Sequence, residues 1–264
     1  MSGYAIRVVE RTTSAVFLAP HYDDVALSCG GTVARLADSG EAPVIITVFG
    51  GKPDGPLTQF ASDMHQRWGV GPNDAIALRR TEEQCAERVL GARSIWLDFA
   101  DAIYRDGRYT SDLQLFGAIH PREAEFAMDI HEAMFDTLDA AGIAPSSFYV
   151  PLAIGNHVDH QHVLTAGLKL AQSGYEVSAY EDFPYAGDPA WRDTIEARAL
   201  NVTSNQISLN RLTPSQLDRR VEAVLCYRSQ LDVIFRRQGD PATATRRYAR
   251  VVGNGEPAER FWRL

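Results

Sequence analysis

Three observations predict an α/β protein with a mostly parallel sheet. Short apolar segments rich in β-branched residues alternate with longer segments of helical periodicity through the first two thirds of the chain. Strands separated by helices imply parallel βαβ units with right-handed crossovers. Polar loops carrying His and Asp follow two of the apolar segments, and in an open α/β sheet ligands bind at such carboxyl ends. The expected fold is a Rossmann-like three-layer sandwich with its active site at the C-terminal ends of the strands. The 264 residues fit one domain, with a core from about 14 to 230 and an irregular C-terminal tail.

Ser14–Leu18 reads as the first strand, and Ser28 is placed to cap a helix running to about Asp38. Pro43–Phe49 is strand two. Asp74–Leu90 is helical, with Ala75, Leu78, Ala86 and Val89 among its apolar positions, and Ser94–Phe99 is strand three. Pro121 opens a helix to Ala140, and Phe148–Leu152 and Tyr175–Tyr180 are strands four and five. Gln206–Asn210 predicts a short late strand, and Thr213-Pro214 opens a helix with apolar Leu217, Val221, Val224 and Leu225. Residues after about Gly239 read as irregular, with Trp262 packing back on the core. Two long loops, Gly50–Asn73 and Ala100–Ile119, leave strand ends on the motif side. Both are expected to wall a pocket, the second with Asp101, Tyr104, Arg105 and Tyr109, and Glu181–Ala186 to add a further wall.

Composition narrows the function. Hydrophobic residues make up 45% of the chain, enough for a real core, so disorder is excluded. The formal charge of −8 argues against nucleic acid as the main partner, because a phosphate-binding surface needs a basic patch. The sequence begins without a signal-like apolar region, and no apolar run approaches membrane-spanning length. Three scattered cysteines, Cys29, Cys85 and Cys226, suggest neither a disulfide framework nor a thiolate metal site. A reduced, cytoplasmic setting is the expectation, and Asn201-Val202-Thr203 then carries no glycan. Homo-oligomerisation is left open.

The chemistry concentrates in Ala19-Pro20-His21-Tyr22-Asp23-Asp24-Val25-Ala26-Leu27-Ser28-Cys29-Gly30-Gly31-Thr32. His21 and Asp24, three apart, can face one cation, leaving Asp23 to handle a proton. The plainer account is that both carboxylates only cap the following helix. A second cluster, Gly155-Asn156-His157-Val158-Asp159-His160-Gln161-His162, again lies between an apolar run and a helical pattern. A His and an Asp from one loop with a His from the other suit a catalytic zinc, which takes three protein ligands and keeps one open position.

The first stretch resembles the Pro-His-Pro-Asp-Asp-Glu signature of LmbE-like (PIG-L) zinc-dependent N-deacetylases, and the second resembles their His-Pro-Asp-His signature. Leu78-Arg79-Arg80-Thr81-Glu82-Glu83, followed by Leu90-Gly91 and Leu97–Asp101, is similar to the family's Arg-rich helix and next strand. Glu222–Gln230 is similar to its C-terminal pattern. Tyr22 and Val158 stand where proline is usual, Val25 where glutamate is usual, and Tyr227 where histidine is frequent.

The resemblance implies Zn²⁺ on His21, Asp24 and His160, with Asp23 as general base and His157 as acid or electrophilic stabiliser. Asp159 would orient a histidine ring; alternatively it is itself a ligand, with His157 replacing Asp24. Arg79, Arg80 and Asp101 are candidates for substrate contacts, the alternative for the arginines being helix ion pairs with Glu82 or Glu83. Tyr22 could alter what fits the pocket. His162 is expected to be a solvated helix residue, and His65, His120 and His131 structural or surface residues. The implied reaction is de-N-acetylation of a small-molecule amino-sugar conjugate, such as an N-acetylglucosamine conjugate or a secondary-metabolite sugar. Competing readings are an amidase on a mycothiol-type conjugate, a non-catalytic sugar-binding protein of the same fold, and a two-metal phosphoesterase. The last needs more ligands than these motifs offer.

Overall fold

In the computed structural model, residues 12–71, 74–191 and 206–264 are described, and the Asn201 sequon and the Pro72-Asn73 end of the first long loop lie outside them. The strands are β1 (Thr12–Ala19), β2 (Val44–Thr47), β3 (Arg93–Trp96), β4 (Ile143–Pro151), β5 (Val177–Tyr180), β6 (Ile207–Arg211) and β7 (Ala258–Arg263). They form one seven-stranded sheet in the order β3-β2-β1-β4-β5-β7-β6. The pairs from β3 through β5 are parallel, and β7 runs antiparallel to both β5 and β6.

The apolar strand segments are continuous because both faces of the sheet are covered. On one face Val16 and Leu18 of β1 join Ile46, Phe148 and Val150 against Ile130, Met134, Val163 and Leu170. Those four belong to α5 (Phe126–Ala140) and α6 (Val158–Gln172). On the other face Ala15, Phe17 and Ala19 meet α1 (Asp24–Asp38), α3 (Ala75–Leu90) and α7 (Pro214–Leu225) through Val33, Leu90 and Ala223. Thr213 caps α7 with a reciprocal bond to Gln216, the cap-then-proline start read from the sequence.

The tail departs from expectation. Residues after Gly239 form α9 (Pro241–Val252) and β7, so the sheet extends well past residue 230. Only pairing with β5 and β6 makes Ala258–Arg263 a strand, and Trp262 does pack into the core, 9% exposed. The two long loops also hold short helices, α2 (Gln59–Arg67) and α4 (Asp112–Leu115), capped by Thr58 and Ser111. The described segment between α7 and α9 carries α8 (Leu231–Ile234).

The expected Ser28 cap is replaced by a longer device. Helix α1 starts at Asp24 and breaks at Cys29, whose backbone is non-helical (φ −145°, ψ 24°). The amides freed by the break, Gly31 and Thr32, donate to the Glu259 carboxylate of β7 at 2.9 and 2.7 Å. Arg220 of α7, fully buried, pairs with that carboxylate at 3.1 Å and donates to the Leu27 carbonyl just before the break. Ser28 Oγ instead accepts from Phe183 N, in the loop after β5. A side chain at position 31 would bring Cβ within 2.4 Å of Leu212, so this approach requires glycine.

Cys85 of α3 and Cys226, just past α7, form a disulfide, contrary to the expectation of unpaired thiols. Packing of α3 on α7 brings the two Cα atoms to 5.8 Å across 141 residues, a separation that no local spacing reveals. Cys29 remains free and buried. The pairing removes the reduced-thiol ground for a cytoplasmic setting. Among the described residues no helix is long and apolar enough to cross a membrane.

Candidate active site

The strand order reverses at β1, whose neighbours are β2 on one side and β4 on the other. That switch point is where an open α/β sheet leaves a crevice, and the loops after β1 and β4 bring His21, Asp23, Asp24, His157 and His160 there. These residues line a cavity of about 400 Å³. Met64 and Trp68 of the first long loop, Asp101 and Phe116 of the second, and Phe183–Tyr185 after β5 complete its walls; Tyr104, Arg105 and Tyr109, expected there too, are not among the lining residues. Gln230, at the end of the C-terminal motif, adds a further wall with Val233, Ile234 and Arg236 to Gln238, which no motif announced.

Local backbone sets each side chain. Gly155 and Asn156 adopt positive φ (88° and 65°), turning the chain sharply from β4 into α6. A Cβ on Gly155 would lie 2.7 Å from the Tyr185 ring. Asn156 Nδ2 donates to the carbonyls of Phe116 and Gly117, both at 2.9 Å, tying the second long loop to this turn. His157 caps α6, its Nδ1 accepting from Asp159 N at 3.2 Å.

Three donor atoms converge on the side of Asp24. Its Oδ2 lies 3.3 Å from His21 Nδ1 and 3.4 Å from His160 Nε2, and accepts from His21 N at 2.7 Å. Each ring's other nitrogen meets a carboxylate: His21 Nε2 is 3.0 Å from Asp159 Oδ2, and His160 Nδ1 is 2.6 Å from Asp182 Oδ1. Burial alone would lower both imidazoles, but Asp101, Asp159 and Asp24 raise His21 well above its ordinary pKa, and Asp24 and Asp182 raise His160. Burial would likewise raise Asp24, yet His160 and His21 hold it well below the usual carboxylate range. Anionic carboxylates facing imidazoles in a buried pocket are donors of the kind that a divalent metal ion takes.

Asp23 offers no side-chain cap to α1. Its carboxylate, 4% exposed, instead accepts from Arg79 Nη2 at 3.3 Å. Burial, opposed by Arg79 and aided by Asp24, raises its pKa. Burial also pushes His157 well below the ordinary imidazole value; Asp159 opposes, while His21 and His160 add to the fall.

The structure brings Arg79 and Asp101 to the cavity wall. Arg79 pairs with Asp23 rather than with Glu82 or Glu83, its guanidinium over the rings of Tyr22 and Trp68. Arg80 is not brought there. Its guanidinium holds the Tyr22 hydroxyl, the Gly50 carbonyl and Asp98, and lies over Trp96. Tyr22 points away from the cavity to donate to Gly50 O at 2.7 Å, so it shapes the pocket only through Arg79. Asp159, fully buried, stands behind the wall. His162 is buried as well, 3.0 Å from Glu123 Oε2, because its side of α6 faces Glu123 and the rings of Phe49 and Phe126.

One group, Asp182, escaped the motifs, and another, Glu82, reads from the sequence only as an ion-pair partner for the arginines. Asp182 fixes His160, while its Oδ2 accepts from Ile154 N at 2.9 Å; its place directly after strand five was the available signal. Glu82 accepts from Ser229 N and Oγ at 2.8 and 2.7 Å, anchoring the C-terminal motif that carries Gln230 to the cavity.

A sequence model of the family described as "PIG-L: GlcNAc-PI de-N-acetylase" matches residues 16–171, more than half of the chain. The chain belongs to the PIG-L family. Within it, the 2'-N-acetylparomamine deacetylase of Niallia circulans is 31% identical over 266 residues, covering 94% of this chain and 89% of that protein. A deacetylase of the teicoplanin biosynthesis pathway, solved as a complex, superposes with a TM-score of 0.80 at 25% identity, over 95% of this chain and 97% of that one. A zinc-inhibited form of a teicoplanin deacetylase gives a TM-score of 0.78 at 25% identity and the same coverage. This PIG-L chain is a deacetylase, a metal-dependent hydrolase of N-acetyl amide bonds.

Proposed function

We propose that this deacetylase removes the acetyl group from an N-acetylated amino sugar of a secondary-metabolite intermediate, with Zn²⁺ held by His21, Asp24 and His160. The observation that carries the site assignment is the convergence of His21 Nδ1, Asp24 Oδ2 and His160 Nε2, with Asp23 beside them on the same cavity. The amino-sugar assignment draws on the paromamine and teicoplanin relatives. Two nitrogens and one oxygen are the ligand chemistry of catalytic zinc. Bound there, the ion supplies Lewis acidity that polarises a carbonyl and makes water a better nucleophile.

The chain's own residues do the rest. Asp23 takes a proton from the attacking water and returns it to the departing amine, which must not leave as an anion. Its raised pKa makes it a better base than a solvated aspartate, and Arg79 keeps it aimed. Because Nδ1 of His157 accepts a backbone amide, the neutral ring carries its proton on Nε2. His157 therefore serves as a hydrogen-bond donor to the developing oxyanion rather than as an imidazolium acid. Asp101 and Arg79 are placed to hold sugar hydroxyls. Asp159 and Asp182 orient the two ligand rings.

Amine release from a panel of N-acetylated amino-sugar conjugates, with zinc and with chelator, tests this. Metal-dependent release from some members is expected. No release from a zinc-loaded protein across the panel refutes the substrate assignment.

A further inference from the structure

His21 belongs to two overlapping donor groups. One is His21, Asp24 and His160; the other is His21, His157 and Asp159, whose donor atoms also lie within 4.8 Å of one another. By ligand type alone the second, two imidazoles and a carboxylate, suits a divalent metal as well as the first does. Something other than ligand chemistry has to choose between them.

The difference lies behind the carboxylates. Among the described residues no arginine pairs with Asp24, whereas the Arg105 guanidinium sits 2.6 Å from Asp159 Oδ1. The other oxygen, Oδ2, accepts from Ala102 N at 3.1 Å and faces His21 Nε2. Arg105 is itself fixed, 6% exposed, with Glu123 at 3.0 Å from its Nε, the Ala100 carbonyl on Nη1, and aromatic rings at about 5 Å. A buried guanidinium never loses its proton, so Asp159 is permanently neutralised by a cation that belongs to the protein.

The geometry points to Arg105 as the residue that decides which donor group binds metal: it occupies the carboxylate of His21, His157 and Asp159 and keeps that group from taking a second divalent ion. This inference rests on the assignment of His21, Asp24 and His160 as the working ligands. Arg105 is a positioning residue, acting through Asp159. Its removal leaves a buried anion beside two imidazoles, where a second Zn²⁺ or Co²⁺ would take His21 through Nε2, the ring bridging the two ions as an imidazolate and releasing its Nε2 proton to solvent.

The test is equilibrium dialysis against Zn²⁺ and Co²⁺, with metal content measured per folded chain, on wild type, R105Q, R105K and R105Q/D159N. Arg105→Gln is expected to raise the bound metal from one equivalent to two and to add a second set of visible Co²⁺ bands. Arg105→Lys, which keeps the charge, and the double variant are expected to remain at one. Because the lone Gln substitution also strands Glu123, R105Q/E123Q is run beside it with the same expectation and fewer unpaired buried charges. A single equivalent with unchanged cobalt bands in a folded R105Q or R105Q/E123Q protein overturns the inference. So does a second equivalent that persists in R105Q/D159N. His160→Ala in the same dialysis checks the underlying assignment separately. If that variant keeps its metal, the ligand set is wrong; if it loses the metal while R105Q stays at one, only the role of Arg105 falls.

Discussion

Replacing Asp182 with Asn isolates one contact behind the proposed metal site. His160 Nδ1 and Asp182 Oδ1 are 2.6 Å apart with both side chains nearly inaccessible, so solvent does not screen this charge-assisted bond. The second carboxylate oxygen is taken by Ile154 N. An asparagine can accept from only one of those two N–H groups; its NH₂ must face the other. Loss of such an outer partner typically weakens metal binding about 10–100-fold, or roughly 1.4–2.7 kcal/mol. Zinc affinity of D182N, by competition with a chromogenic chelator, should fall within that range, while turnover at saturating zinc falls less. Affinity within twofold of wild type would refute the claim that Asp182 orients His160 for a metal.

Asp23→Asn should leave zinc bound and cut turnover by roughly 10²-fold or more; full activity removes Asp23 as base. Glu123 offers a pH test. Burial works against its ionisation, but His162, Arg105, Tyr109 and Arg108 hold it down to about 2, below its ordinary 4.5. A folded pKa below the unfolded one means stability present above about pH 4.5 and lost as pH falls towards about 2. Glu123→Gln should flatten denaturant midpoints across that window, and an unchanged acid limb counts against the network. Reducing Cys85–Cys226 frees a loop of 141 residues, worth about 2–4 kcal/mol. Dithiothreitol should therefore lower the melting temperature of wild type but not of C85S/C226S.

The sequence was most legible where structure is local. The alternation of apolar runs and helical segments anticipated the parallel part of the sheet, because strands covered on both faces need continuous apolar stretches. Thr213-Pro214 announced α7 because a capping box needs only neighbours. His162 was misjudged as solvated, since the partner that buries it, Glu123, arrives from another loop. Arg80 was grouped with Arg79 on adjacency, yet successive helix positions face different directions. One reaches Asp23, the other Tyr22 and Asp98.

By itself, then, the sequence determined the strand–loop–helix units, the residue types at the ends of β1 and β4, and the family to which they belong. Those follow from short-range spacing. Only the tertiary structure decided how the units combine. Reversal of strand order between β1 and β4 brings His21 within 3.0 Å of Asp159 across 138 residues. A carboxylate 228 residues away caps the break in α1. Which nitrogen of each histidine faces Asp24, and which carboxylate is held by an arginine, depend on groups that meet only after the sheet has formed. Such groups share a buried, weakly screened environment without sharing any local pattern in the chain.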